Sequence, residues 1–137
     1  MPVRRSLALL ALAGLLAVPA CRRDVGPAER YRAFATAARE GRADEVWSML
    51  SEGSRAELDR RAKDLAAKAP PGAVATTGRA TVLGDLASVS PRPASVTVVR
   101  ESRDAAVVAV EVEGQPAREV SLVREGGVWR VVVPFDK

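Results

Sequence analysis

The amino-acid sequence predicts an α+β domain in which N-terminal helices pack on a curved antiparallel sheet. Three observations predict it. From Pro27 to about Ala69, apolar residues recur at the three-and-four spacing of helices with one buried stripe. From Gly78 onward the period drops to two and Val and Thr dominate, as in half-buried strands. Short turns carrying Gly, Pro or Asp separate those strands. Connections that short join antiparallel neighbours, because a parallel return needs a crossover of roughly a dozen residues or more. Helices grouped first and strands second make an α+β domain, with the helices on one face of the sheet.

The first helix opens at Pro27, a residue whose fixed φ suits the first turn. Tyr31, Phe34, Ala35 and Ala38 form its apolar face, and Gly41 suits the left-handed cap that ends it. A second, short helix is expected from Asp44 as N-cap, burying Val46, Trp47 and Leu50. Ser54 and Glu57 have the spacing of a capping box for a third helix, whose stripe is Leu58, Ala62, Leu65 and Ala69. Its outer face carries Glu57–Arg61, Asp59–Lys63 and Asp64–Lys68, each acid four residues before its base. Pro70-Pro71-Gly72 ends it. Strands are predicted over Arg79–Leu86, Ala94–Arg100, Ala106–Val112, Arg118–Arg124 and Val128–Val133. One face collects Val96, Val98, Val108, Val110, Val112, Val120, Leu122, Trp129, Val131 and Val133. The last four strands should form a meander, turning at Ser102-Arg103-Asp104, Gly114-Gln115-Pro116 and Gly126-Gly127.

Composition excludes several functions. The chain has no His, which removes His-based triads and the commonest metal ligand. A single Cys permits no internal disulfide and no thiolate metal cluster. The net charge of +4 halves if Arg4 and Arg5 are removed with a leader, and the remaining bases are interleaved with acids. No stripe of one sign appears, so nucleic acid is not an expected partner. There is no glycine-rich phosphate loop. Catalytic residues, metal and cofactor are therefore all expected to be absent.

The first twenty residues have the three parts of an export signal. Arg4 and Arg5 supply the positive start, Leu7 to Val18 is an apolar run of Leu and Ala with one Gly, and small residues lead to Ala20. The run falls short of the roughly 20 apolar residues that a membrane span needs. Val18-Pro19-Ala20-Cys21 resembles the bacterial lipobox, with Pro19 departing from the usual small residue. That resemblance implies cleavage before Cys21 and lipid attachment to it. The alternative is an ordinary signal cut after Ala20, with Cys21 an incidental thiol. Under the lipobox reading, residues 1–20 are the signal, 21–26 a short lipidated tether and 27–137 the folded domain. The protein would then sit on an envelope membrane and face the periplasm. Arg22, standing where an inner-membrane retention Asp would be, favours the outer membrane.

The stretch Ala28-Glu29-Arg30-Tyr31-Arg32-Ala33-Phe34, leading to Gly41-Arg42-Ala43-Asp44-Glu45-Val46-Trp47-Ser48-Met49-Leu50, resembles the nuclear-transport-factor-2-like superfamily, in particular its small bacterial lipoproteins. Gly126-Gly127-Val128-Trp129-Arg130-Val131 is similar to the closing strand of that group. The resemblance spans Pro27 to Phe135. It implies a cone, with a curved sheet wrapped round the first helix and a pocket opening between them. Some members are isomerase-like or dehydratase-like enzymes; many others are binding, assembly or envelope modules. The fold alone therefore names no activity.

Tyr31, Phe34, Trp47, Asp85 and Trp129 are the candidates to line such a pocket. The economical account of the aromatics, Phe135 included, is that they make the core, since the chain has only two Trp, one Tyr and two Phe. An enzyme would need an acid at the base of the cone, and Asp85 with Tyr31 is the pair available. Asp85 reads better as a strand-end or turn residue, and Tyr31 as a packed ring with its hydroxyl at the rim. Glu111 and Glu113 share a face of one strand. Arg118 and Arg124 on the next are their expected partners, which makes a solvated charged face. The balance favours a lipid-anchored, non-enzymatic module that binds a protein partner or a small apolar ligand. The alternative is a small isomerase or dehydratase.

Overall fold

The computed structural model describes residues 24–81 and 91–135. Helices α1 (Pro27–Arg39), α2 (Ala43–Met49) and α3 (Glu52–Lys68) precede strands β1 (Ser95–Glu101), β2 (Ala105–Glu111), β3 (Arg118–Glu125) and β4 (Val128–Val131). The strands form one antiparallel sheet in the order β1-β2-β3-β4. The fold is α+β, an open antiparallel sheet with helices packed against it. The predicted leader, Cys21, Asp85 and the predicted strand beyond Thr81 lie outside the described residues.

Register decides which side chains reach the core. Val96 stands opposite Val110, Val108 opposite Val120, and Leu122 opposite both Ala106 and Val131. This inner face meets Tyr31 and Ala35 of α1 and Leu50, and together they form the main core. Trp129, Leu50 and Leu122 are its largest fully buried side chains. Burying a leucine of this kind contributes about 1.5–3 kcal/mol before entropy is counted. Ala37, Ala38 and Val46 form a second cluster where α1 meets α2, small enough for the two helices to lie close. The edge strand β1 carries a register shift between Val98 and Arg100, which leaves Val98 and Val99 exposed. Val98 therefore covers less of the core than its alternation predicts.

The helix ends differ from expectation in two places. The C-terminus of α1 is a Schellman motif: the N–H of Arg42 donates to the Ala37 carbonyl and that of Gly41 to Ala38, with Gly41 left-handed at φ 66°. The chain passes straight from this motif into α2, so Arg42 stands at the cap position and Asp44 falls inside the first turn, where it pairs with Arg79. Helix α3 begins three residues earlier than the Ser54–Glu57 spacing predicts. Ser51 is its N-cap, accepting from the Ser54 N–H at 3.1 Å. Ser54 sits within the helix, buried, and its hydroxyl accepts the Val133 N–H at 2.9 Å. Both carboxylate oxygens of Glu125 accept the Glu52 N–H, each at 3.1 Å. The start of α3 is thus stitched to the sheet through donors that no helix can satisfy internally. The Ser51 N–H to Val131 carbonyl bond and the parallel Leu50–Val131 bridge extend the seam.

Other expectations are corrected by tertiary contacts. Leu65 is exposed among the described residues, so the buried stripe of α3 reduces to Leu58 and Ala62. Of the three ion pairs expected on α3, Glu57–Arg61 forms, while Asp64 takes Arg60 and Asp59 accepts the Gly78 N–H at 2.7 Å. Gly78 to Thr81 make one helical turn and not the start of a strand. Thr77 caps it by accepting the Ala80 N–H. Gly78 lies so close to α3 that a Cβ there would stand 2.6 Å from backbone atoms of Leu58 and Asp59.

Candidate functional site

A cleft of about 280 Å³ opens between α1 and the end of the sheet at β3 and the chain after β4. Helix α1 contributes Tyr31 and Phe34, whose ring centroids lie 5.9 Å apart. The sheet side contributes Val120 and Arg118 from β3, and Val133 comes from the segment that Ser54 holds. The lining is mostly apolar, and its charged residues are the neighbours Arg118 and Glu119. At this border Arg118 Nη2 donates to the Tyr31 hydroxyl oxygen at 3.0 Å, a bond that spans from sheet to helix.

Local rules explain why these groups converge. Tyr31 and Phe34 are three apart on one helix, so their rings point the same way. Arg118 and Val120 are two apart on one strand, so they share a face. Arg118 pairs with Val110, a buried inner-face residue, and this puts the guanidinium on the helix side of the sheet. Glu119 borders the cleft, but its carboxylate meets Arg100, a residue of the other face, at 3.3 Å. The expected partnership of Glu111 and Glu113 with Arg118 and Arg124 therefore does not occur. Glu111 instead accepts from the Ser95 hydroxyl, Glu113 lies in the turn after β2, and Arg124 meets Asp24 at 3.2 Å. Among the described residues, no carboxylate lies within ion-pair distance of Arg118.

The candidate lining residues thus separate. Tyr31 and Phe34 border the cleft; Tyr31 is only 5% exposed and belongs to the core as well. Trp47 is half-buried against the main core and lines no part of the cleft. Trp129 is buried elsewhere, under the guanidinium of Arg124, which stacks 4.7 Å from its ring centroid. Its indole N–H has no acceptor among the described residues. It borders a second opening of about 450 Å³, with Asp24, Arg30 and Arg124. Asp85 lies outside the described residues. Arg118 is the residue that sequence reasoning misses as a lining group. The available signal was its parity with Val120 and Leu122 on one strand.

Among the described residues, the one strongly shifted carboxylate lies away from this cleft. Hydrogen bonds from Arg60 and then Arg61 lower the Glu57 pKa to about 2. Arg60 supplies two of these bonds, at 2.8 and 2.6 Å, and the reciprocal contact raises its own pKa. This is a solvated cluster on the helix surface. Among the described residues, no group of His, Cys, Asp and Glu is arranged to hold a metal ion. None of the described helices is long and apolar enough to cross a membrane. Compared with known proteins, the chain matches no protein-family model, no curated protein and no solved structure.

Proposed function

We propose that the protein is a non-enzymatic binding module of the bacterial envelope, held to a membrane by lipid on Cys21, with the cleft beside Tyr31 as its binding site. The observation that carries the binding reading is the cleft itself, an opening with apolar walls on both sides at the end of the core. Apolar concavities with a few convergent polar groups are the usual form of small-molecule sites. A helix laid on the inner face of an antiparallel meander, with a cleft between them, also supports the cone of the nuclear-transport-factor-2-like group. The anchor rests on the leader and the lipobox-like Val18-Pro19-Ala20-Cys21. Placement in the envelope facing the periplasm, with the outer membrane favoured, follows from that reading. A protein partner is the other occupant the module could serve.

The cleft is tested with a neutral apolar fluorophore, N-phenyl-1-naphthylamine, added to the purified protein. Saturable fluorescence enhancement is expected for the wild type. A Val120→Trp variant, which fills the cleft, should lose it while keeping its circular dichroism spectrum. No saturable enhancement in the wild type, or an unchanged response in a folded variant, would remove the cleft as a binding site.

A further inference from the structure

From the chemistry of the cleft we infer that its ligand is a small amphipathic anion: an aliphatic chain or ring ending in a carboxylate, with the carboxylate on Arg118 and Tyr31. The inference rests on the cleft reading above and adds the class of ligand. Three observations lead to it. The cleft holds one cation, Arg118, and although Glu119 also lines the cleft, no carboxylate among the described residues lies within ion-pair distance of Arg118. The nearest acid in sequence, Glu119, is engaged by Arg100 on the opposite face. Tyr31 accepts a hydrogen bond from Arg118, so its own O–H remains to donate. The polar end of the cleft is therefore a set of donors carrying positive charge, held in place by a helix-to-sheet bond.

The geometry of that end suits a carboxylate. A guanidinium presents several N–H groups in one plane, and one of them is used on Tyr31. The others can meet a carboxylate while the phenol donates to the same group. Hydrogen bonds with an ionised partner are about twice as strong as neutral ones. The rest of the lining is largely apolar and includes Phe34, Val120 and Val133, whose side chains offer an alkyl chain nothing polar to compete for. A volume of about 280 Å³ equals roughly nine waters at about 30 Å³ each. That is close to an eight-carbon acid. A neutral alcohol or amide would leave the charge of Arg118 without a counterion. A dianion would bring more charge than one arginine balances.

The test compares octanoate with octanamide, its neutral isostere, by isothermal titration calorimetry on the full chain as the cell produces it. The protein is held in nanodiscs, and empty nanodiscs serve as the reference. Octanoate should bind at least tenfold more tightly than octanamide. Arg118→Gln should abolish that preference, Arg118→Lys should retain part of it, and Tyr31→Phe should reduce it. Equal affinity of the wild type for the two ligands overturns the anion inference and leaves the cleft reading standing. Failure of both ligands to bind a protein that still binds the naphthylamine dye also overturns it. Failure of ligands and dye together removes the cleft reading as well. The comparison on the wild type needs no variant to fold.

Discussion

Gly78 shows how one residue can be set by a neighbour distant in sequence. It is buried against α3, and its N–H reaches the carboxylate of Asp59. Any side chain would drive a Cβ into the helix backbone, which cannot yield as a flexible side chain would. Gly78→Ala should therefore destabilise the fold by about 1–3 kcal/mol, the usual cost of overpacking. Gly53 is the control, because it lies in α3 with open space where a Cβ would go. Gly53→Ala should stabilise by roughly 0.5–1 kcal/mol. Urea midpoints for the two variants should move in opposite directions; a shift in the same direction would contradict the close approach. Arg118 makes the same point for function. As a basic residue one turn along the chain from Glu111 it reads as a surface partner, yet the pairing with Val110 turns it to the helix side. A register slip of one residue would move it to the opposite face.

Helix α3 joins local and non-local determinants. Its termination at Pro70-Pro71-Gly72 and its ion-pair composition are visible along the chain. Its start is not, because Ser51 and Ser54 are both residue types that cap helices. The choice falls to Ser51 because the sheet needs Ser54 elsewhere, as the acceptor for Val133, and because Glu125 satisfies the donor of Glu52. Losing such a cap typically costs about 1 kcal/mol. Starting the helix at Ser51 also frees Glu57 from any capping role, and it gathers Arg60 and Arg61. The folded-state pKa of Glu57, about 2, lies below its ordinary value of 4.5. Its contribution to stability is then present above about pH 4.5 and is lost as pH falls toward 2. The stability difference between wild type and Glu57→Gln should accordingly be largest near neutrality, shrink through that acid window, and diminish with added salt. Denaturant titrations across pH would check it, and a difference independent of pH would refute the assignment.

For the molecule as a whole, the anchor and the domain are separable claims. If Cys21 carries lipid, Cys21→Ser should abolish labelling by a fatty-acid probe and release the protein from membranes, since stable attachment takes more than one acyl chain. Labelling that persists in the variant would defeat that reading. The helix-then-strand order, the α+β class, the meander and the absence of His chemistry all follow from period, turn residues and composition, which act along the chain. The inner face from Val108 to Val131 was legible for the same reason: alternation encodes which side is buried before any partner is known. The cap of α3, the helical turn at Gly78, the bulge in β1 and the meeting of Arg118 with Tyr31 depend on contacts between segments far apart in the chain. Those contacts are chosen by strand register and by which donors and acceptors three-dimensional packing leaves to be satisfied. No periodicity in one dimension records that choice.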